Sequence, residues 1–334
     1  MANNTGIILV LAYPETIVMV ANEWYSPLLK YLGIGCKNYV RAGHAALVLI
    51  EKSRGDLEYH DFGRYITKVP NGRVRGAKYD GELKFPLKAK IVGNRVCNLK
   101  EILVFLSENP NLTHGDGKLI ASVCDQIDYS KAKSQIQKMQ RHVGIPYAAF
   151  YKKGTNCARF VTTTLIASVT NSLIKKKLIS SQRFTPSTVG NVVLADTTNK
   201  VFNINEGVIT DFDSSVYQEN IKYFLDSLAN YKPNLIGKVE PKRVEGLREN
   251  AKWLSGIAAG AWYEFTLSNN LGDNEYRFRR ISPTGNIDID AVFVSNNSFS
   301  INRDYEILHN SNCFYCTIKQ DDKILQLGYL RDFN

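Results

Sequence analysis

Long apolar runs are missing from this sequence. No stretch reaches the roughly 18 uninterrupted apolar residues that a membrane-spanning helix needs, so we expect no stable membrane insertion. The N-terminal run "GIILVLAY" follows no positive charge and is soon interrupted by Pro14 and Glu15, which indicates strands and not a secretory signal peptide. We therefore expect a cytoplasmic protein by default, with export by a route without a signal peptide left open.

Cysteines are few and widely spaced. The six, at positions 36, 97, 124, 157, 313 and 316, follow no disulfide-framework spacing, which is typical of a reducing compartment. Cys313 and Cys316 form one Cys-x-x-Cys pair, but a zinc site needs four ligands and no second pair lies nearby. We therefore predict no metal site and no cofactor.

Acidic residues are in the minority. The chain has 32 Asp and Glu against 42 Lys and Arg, a formal charge of +10 over 334 residues, and a basic surface favours anionic partners such as nucleic acid, lipid head groups or acidic polymers. The charges form no long block, so a generally basic, solvated surface is the simpler interpretation. The segment "EYRFRRI" (275–281) interleaves Arg and aromatic residues, which is typical of a polymer-binding face and also of an ordinary half-exposed strand.

The order of patterns along the chain predicts two folded domains and a connector. Alternating apolar runs fill the first part, and helical spacing follows in "LKEILVFLSEN" and "YSKAKSQIQKMQRH". Two polar segments, "YQENIKYFLDSLANY" and "PKRVEGLRENAKWLS", predict connecting helices, and six short alternating runs near the C-terminus predict a small β-barrel or sandwich. We place the first domain at 1–197, the helical connector at 198–258 and the β domain at 259–334.

One hairpin candidate lies in "HAALVLIEKSRGDLEYHDFGRYI". Two apolar, β-rich runs flank Ser53, Arg54, Gly55 and Asp56, and a short loop with Gly55 in the left-handed conformation suits the turn. The sequence therefore predicts two neighbouring antiparallel strands here.

The segment "GTNCARFVTTTLIAS" (154–168) presents one cysteine at the start of a predicted amphipathic helix. Asn156 is a good N-cap residue and Gly154 gives a flexible entry, while the apolar positions 157, 160, 161, 165 and 166 share one helix face. A lone cysteine in such a helix is commonly a small core residue. The alternative is a nucleophile, because the amides of a helix N-terminus and a nearby histidine favour the thiolate. The backbone N–H of Cys157 could also bind an oxyanion.

A nucleophilic cysteine needs a base, and the chain has five histidines. His44 begins the apolar strand "HAALVLI", where a strand end can face a cleft. His60 follows on the return strand, and a third polar residue that orients the imidazole completes the usual arrangement. Tyr147, upstream of the cysteine helix, is either a packing aromatic or part of the cleft.

These residues resemble a known family. "GHAALVLIE" and "LEYHDF", followed by "PYAAFYKKGTNCARFVTTTL", look like the circularly permuted papain-like cysteine hydrolases, the YiiX-like and lecithin retinol acyltransferase-like branch of the NlpC superfamily. In that branch the histidine strand precedes the cysteine helix. The Asn-Cys-x-x-Phe-Val string of the branch matches residues 156–161, and its strand-borne histidine matches His44. The resemblance covers roughly residues 1–195.

The resemblance implies an α+β fold. A permuted papain-like core, with an antiparallel sheet packed on helices, would be followed by a small C-terminal all-β domain, as in a group of bacterial proteins that the whole chain resembles. The third catalytic residue of the family falls at or near His60. In a simple hairpin centred on Arg54, however, His60 would lie opposite Val48, about 13 Å along the strand from His44. A bulge or a strong twist would have to bring the two together, and Asp61 and Glu58 are the alternatives.

The sequence thus leads to two hypotheses of different classes. The first is a thiol-dependent hydrolase or acyltransferase that acts on an amide or ester through a thioester, with Cys157 as nucleophile, His44 as base and His60 as orienter. Its substrate would be a peptide, a cell-wall component or a lipid acyl group. The second is a non-catalytic binding or adaptor protein whose basic C-terminal β domain binds an anionic partner. The sequence indicates no oligomeric state.

Overall fold

The computed structural model describes residues 4–36, 38–67, 70–142, 144–231, 243–255, 260–268, 270–281, 285, 287–297, 299–309 and 311–333. The strands within these ranges are β1 (Gly6–Tyr13), β2 (Val18–Met19), β3 (Tyr39–Val40), β4 (His44–Glu51), β5 (Leu57–Gly63), β6 (Asn71–Val74), β7 (Ile91–Val92), β8 (Arg95–Val96), β9 (Leu119–Ile127), β10 (Ile145–Pro146), β11 (Phe202–Asn205), β12 (Val208–Asp211), β13 (Lys252–Ser255), β14 (Gly260–Thr266), β15 (Glu275–Ile281), β16 (Ile287–Ser295), β17 (Glu306–Ile307), β18 (Tyr315–Gln320) and β19 (Lys323–Asp332). The helices are α1 (Ser26–Tyr31), α2 (Leu99–Glu108), α3 (Pro110–Thr113), α4 (Tyr129–Gln140), α5 (Cys157–Ser168), α6 (Ser172–Ser181), α7 (Thr188–Ala195) and α8 (Val216–Phe224), with one 3₁₀ turn at Gly81–Leu83.

The chain forms two compact units. The first contains Met1–Gly63 and Phe85–Pro233, and the second contains Arg64–Lys84 and Asn234–Asn334. The domain boundaries after 197 and 258 stay predictions, although β11 and β12, inside the predicted helical connector, are strands that pair with each other. The helix predicted over "PKRVEGLRENAKWLS" is wrong in its described part, because Lys252–Ser255 is the strand β13.

An antiparallel sheet forms the centre of the first unit. Six of its strands follow the order β5, β4, β1, β9, β11, β12, and every pairing between them is antiparallel. All eight residues of β1 are buried. Because successive side chains of a strand point to opposite faces, the sheet must be covered on both faces at this strand. Helix α7 packs on β1 and β9, and helices α4 and α5 pack on β4.

The predicted hairpin is present as β4 and β5. Gly55 has φ +70°, the left-handed conformation that the turn requires, and a Cβ at this position would lie 2.3 Å from the Ala89 carbonyl oxygen. The predicted register is wrong by one residue, since His60 lies opposite Leu47 and not Val48. The loop is longer than a three-residue turn, with Ile50 and Leu57 as the last pair before it.

Helix α5 buries several hydroxyl groups. Thr162, Thr164 and Ser168 are almost fully buried, and each donates to the carbonyl oxygen four residues earlier at 2.8, 3.0 and 2.8 Å. These bonds satisfy the hydroxyl groups within the helix itself. Short polar residues can therefore share the buried face with Phe160 and Leu165.

The second unit is dominated by a seven-stranded antiparallel sheet in the order β13, β14, β15, β16, β19, β18, β17. The two outermost strands, β13 and β17, lie in contact, so the sheet is nearly closed. Its core is aromatic and includes Tyr263, Phe265, Phe278, Phe293 and Phe299. The predicted α+β class, with an antiparallel sheet packed on helices and a small C-terminal all-β domain, is confirmed. Within the described ranges, each helix is too short or too polar to cross a bilayer.

Candidate active site

Cys157 is the first residue of α5, as the sequence predicts. Asn156 precedes it in an extended conformation, and its side-chain Oδ1 accepts a hydrogen bond from the backbone N–H of Arg159 at 2.8 Å. The Asn156 amide also donates to Thr185 Oγ1 at 3.1 Å and to the Ala148 carbonyl at 3.3 Å. Asn156 therefore both caps the helix and fixes the position of the thiol at its N-terminus.

His44 is the first residue of β4, and its side chain interacts with Asp61 and Cys157. The Nε2 atom lies 3.1 Å from Asp61 Oδ2, and the Cys157 side chain is near enough to raise the pKa of His44. Because Nε2 faces the carboxylate, Nδ1 is the ring nitrogen that remains for the thiol. Burial lowers the pKa of His44, but the hydrogen bonds and charges of Asp61 and Cys157 outweigh it and raise the pKa to about 9. The imidazolium is thus the favoured form at neutral pH.

Asp61 is fully buried on β5, opposite Ala46. His44 lies two residues from Ala46, so the histidine and the carboxylate share one face of the hairpin. The Tyr59 hydroxyl lies 3.1 Å from Asp61 Oδ2 and 3.0 Å from the Thr113 carbonyl oxygen. Tyr59 was not among the predicted residues, although it precedes Asp61 by two positions and the alternation of a strand could have identified it.

His60 lies on the opposite face of β5 from Asp61, because successive residues of a strand alternate. Its Nε2 is 3.8 Å from Glu58 Oε2, and Glu58 also binds Lys133 and accepts a hydrogen bond from the Tyr129 hydroxyl at 2.5 Å. Burial would raise the pKa of Glu58, but His60, Lys133 and Tyr129 together lower it to about 2. The structure therefore brings Asp61 to His44 and places His60 and Glu58 in a separate cluster beside α4. The reason is the register, which differs by one residue from the predicted one: because side chains alternate along a strand, this shift puts Asp61, and not His60, on the face that carries His44.

Two further groups surround the histidine. Tyr13 pairs with His44 across β1 and β4, and the two rings are stacked with centroids 6.4 Å apart. The Tyr13 hydroxyl donates to the Leu106 carbonyl at 3.2 Å, and burial raises its pKa. Burial also raises the pKa of Asp116, against the opposing charges of His44 and Arg41. The histidine thus sits between an aromatic ring, a buried carboxylate and a second carboxyl group.

A cavity of about 460 Å³ opens beside Cys157. Its lining includes Asn156, Cys157 and Tyr147, and Tyr147 stacks on Phe62 with ring centroids 5.8 Å apart. Both interpretations of Tyr147, as a packing aromatic and as part of the cleft, therefore describe its position. Cys157 and the N-terminus of α5 therefore face a space large enough for a small-molecule group.

The basic strand "EYRFRRI" is β15 in the second unit. Arg277 pairs with Asp290 at 2.6 Å, Arg280 pairs with Glu82 at 2.8 Å, and Arg279 forms an ion pair with Glu264. Carboxylates thus already neutralise the charges of the arginines that the sequence suggested as a polymer-binding face. Among the described residues, no group of three or more His, Cys, Asp or Glu could hold a metal ion.

Fold and site together define an α+β protein with a buried Cys–His–Asp cluster at a helix N-terminus. The family model "Type VI secretion system effector TseH-like" matches residues 8–174, half of the chain. The chain belongs to this family of type VI secretion effectors. A second family model, the DUF6695 C-terminal domain, matches residues 251–330, which coincide with the β domain.

A crystal structure of the type VI secretion system effector TseH is similar to this chain at 14% sequence identity and a TM-score of 0.39. The similarity covers 63% of this chain and 99% of that chain. The comparison with curated proteins gave no match. The relationship to the NlpC superfamily and the circular permutation stay predictions.

Proposed function

We propose that the protein is a cysteine hydrolase or acyltransferase that acts on an amide or ester. The observation that carries the proposal is the position of His44, which is hydrogen-bonded to the buried Asp61 at 3.1 Å and near enough to Cys157 for that side chain to raise its pKa. An imidazolium next to a thiol favours the thiolate, which is the nucleophilic form of cysteine. A buried carboxylate on the other ring nitrogen fixes the orientation of the imidazole and stabilises its charge.

The reaction proceeds in two steps. The Cys157 sulfur attacks the carbonyl carbon, an S–acyl bond forms, and the C–N or C–O bond to the leaving group breaks while His44 gives that group its proton. His44 then takes a proton from water or another acceptor, which attacks the thioester and releases Cys157. The carbonyl oxygen carries negative charge between these bonds, and the first-turn amides of α5, beginning with that of Cys157, are placed to stabilise it.

Asp61 takes the role of orienter in this proposal, and His60 does not. Asp61 is fully buried and 3.1 Å from His44, whereas His60 is associated with Glu58 on the other face. The order of a histidine strand before a cysteine helix, on an antiparallel sheet packed with helices, supports a permuted papain-like core. The first unit then holds the whole catalytic site.

We further infer from family membership that the enzyme is an effector of the type VI secretion system. As an effector it would act in a recipient cell. An effector that hydrolyses a component of the cell envelope would damage the recipient cell, and this toxicity would depend on the Cys157 thiol. Binding through the basic β domain remains the competing function, and the pairing of Arg277, Arg279 and Arg280 with carboxylates does not favour it.

Selective alkylation tests the proposal without knowledge of the substrate. Cys157 is 5% exposed and Cys97 is exposed, so accessibility alone predicts that iodoacetamide labels Cys97 first. If Cys157 is the activated nucleophile, peptide mapping at pH 7 will show that it reacts faster than Cys97. In a bacterial host, Cys157→Ala should abolish toxicity and Cys97→Ala should retain it. Slower labelling of Cys157 than of Cys97, together with an unchanged toxicity of Cys157→Ala, would refute the proposal that the protein is a cysteine hydrolase or acyltransferase.

A further inference from the structure

The cavity beside Cys157 has apolar walls. Its volume of about 460 Å³ lies in the range of sites that hold a small molecule. The apolar part of its lining includes Val18, Val20, Trp24, Leu29, Val40 and Phe150. This part of the cavity offers contact surface and few hydrogen-bond partners.

The charged residues of the lining are already paired. Arg41 Nε donates to Asp226 at 3.0 Å and Arg41 also donates to the Glu15 carbonyl at 2.9 Å. Glu219 forms an ion pair with Lys118 at 2.9 Å. A peptide bound against the apolar part of the lining would leave backbone N–H and C=O groups without partners there, at a cost in free energy. A hydrocarbon chain has no such groups.

One wall of the cavity is held in place by a carboxylate. Glu23 accepts hydrogen bonds from the backbone N–H groups of Ala149, Phe150 and Tyr151 at 2.6, 2.9 and 2.9 Å. These bonds tie the segment before α1 to the loop that leads to Cys157. The rings of Tyr25 and Phe150 consequently meet edge to face at 5.2 Å. The aromatic wall is therefore fixed by directed bonds.

Trp24 and the adjoining helix α1 expose large side chains to solvent. The exposed fractions are 72% for Trp24, 51% for Leu28 and 90% for Tyr31. Lys30 and Lys153 are also exposed within this segment and the loop before Cys157. Exposed aromatic and lysine side chains are typical of a surface that contacts lipid at the level of the head groups.

We infer that the cavity binds the acyl chain of a lipid, with its ester or amide carbonyl at the Cys157 sulfur. This inference rests on the proposed function and adds the substrate class. The sulfur forms a bond to the acyl carbon, the bond from that carbon to the head-group oxygen or nitrogen breaks, and His44 protonates the released head group. Water then cleaves the thioester and releases the fatty acid. The exposed residues Trp24, Leu28 and Tyr31 contact the lipid surface from which the chain enters.

A series of N-alkyl iodoacetamides tests the chain site directly. Reaction of the methyl, butyl and octyl reagents forms the same S–C bond and releases the same iodide, so only the alkyl group varies. We expect alkylation of Cys157 to accelerate at least about tenfold from methyl to octyl, because each buried methylene favours binding. Exposed Cys97, in the same molecule, gives the reference rate for each reagent.

Filling the cavity supplies the matched variants. Val20→Trp introduces a large ring into the lining and should remove the chain-length dependence at Cys157, with the rate of each reagent taken relative to that of Cys97 in the same molecule. Val208→Trp makes the same change at a valine that is 63% exposed on β12, and it should retain the dependence. Equal rates for the three reagents at a Cys157 that still reacts faster than Cys97 would overturn the lipid chain site and leave the enzyme proposal intact. A Cys157 that is slower than Cys97 with every reagent would instead refute the enzyme proposal.

Lipid substrates show whether the acyl chain is taken from a lipid surface or from dispersed lipid molecules. Fatty-acid release is measured by mass spectrometry from phosphatidylglycerol vesicles and from a dispersed dioctanoyl phosphatidylglycerol. Release from both, with Tyr31→Ala reducing only the vesicle reaction, supports capture from a lipid surface, because Tyr31 lies outside the cavity lining. Release from the dispersed lipid alone supports the chain site and assigns no role to the exposed aromatic residues. Release from neither, by an enzyme that cleaves p-nitrophenyl acetate through Cys157, overturns the inference.

Discussion

Replacing Asp61 by Asn removes the negative charge next to His44 and keeps the size of the side chain. Burial lowers the pKa of His44, and the contacts with Asp61 and Cys157 raise it from 6.5 to about 9. Without the charge of Asp61, burial is opposed by Cys157 alone, and the pKa of His44 should fall toward its ordinary value of 6.5. A complete return to that value would lower the protonated fraction of His44 at pH 8 roughly 30-fold, and the remaining contribution of Cys157 makes this an upper bound.

The rate at which iodoacetamide alkylates Cys157 reports this change, because the imidazolium favours the reactive thiolate. The rate is measured by peptide mapping between pH 5 and pH 10 in the native protein, in Asp61→Asn and in His60→Gln. We expect Asp61→Asn to slow the reaction at pH 8 by about tenfold or more. His60→Gln should have little effect, since His60 lies on the other face of β5.

The opposite result would refute the reasoning. If His60→Gln slows alkylation and Asp61→Asn does not, the orienter is His60 and the register of the hairpin in solution differs from that described. Circular dichroism and the melting temperature show whether either variant has lost its fold. Cys97, which is exposed, gives the intrinsic reactivity of a solvated thiol in each sample.

Four further predictions concern the surroundings of the site. Protonation of His44 should stabilise the fold by about 3 kcal/mol below pH 6.5, and this stabilisation should be lost as the pH rises through about 9. Urea titrations across this pH range measure the loss. A free energy of unfolding that does not fall, or that falls equally in His44→Gln, would contradict the prediction. Tyr59→Phe should lower the alkylation rate of Cys157 less than Asp61→Asn does, because it removes one hydrogen bond of the carboxylate and no charge, and equal losses would contradict this order. Glu23→Gln should weaken the three bonds to residues 149–151 and speed proteolysis of that loop, whereas Glu245→Gln, as a control at another glutamate, should not. Gly43→Ala should destabilise the protein by about 1 kcal/mol or more, since Gly43 has φ +77° and a Cβ would lie 3.0 Å from Thr188 Oγ1; an unchanged urea midpoint would show that the backbone relaxes.

Local features of the sequence predicted those parts of the structure that depend on neighbouring residues. Asn156 has the cap geometry that its side chain favours, so α5 begins at Cys157. Gly55 adopts the left-handed turn conformation. Both depend on a few consecutive residues, and the physical preference of each residue type decides them.

The pairing of strands from distant segments was harder to predict from the sequence. The segment that became β13 is polar and has no clear period, and it is a strand because Lys252 and Trp253 pair with Tyr263 and Trp262 of β14. The register of β4 and β5 likewise depends on the loop between Glu51 and Leu57, whose length the turn residues alone do not specify. Such features follow from partners distant in sequence, and local propensity does not contain them.

The hairpin register decides which side chain accompanies His44. His60 and Asp61 are adjacent in sequence, and alternation places them on opposite faces of β5. A register that pairs Leu47 with His60 also pairs Ala46 with Asp61, which brings the carboxylate to the face that carries His44. Sequence spacing alone left both residues open, and the pairing in the structure separates them.

Burial gives the arrangement its chemical consequence. His44 is 6% exposed and Asp61 is fully buried, so water screens their charges weakly and each would be unfavourable alone. The pair is tolerated because the imidazolium, the carboxylate and the Tyr59 hydroxyl satisfy one another by hydrogen bonds. Burial disfavours the charged form of His44, yet its pKa is raised to about 9, so the partners outweigh the loss of solvation. The same weak screening strengthens the interaction between the imidazolium and the Cys157 side chain, on which the proposed reactivity of this thiol, only 5% exposed, depends.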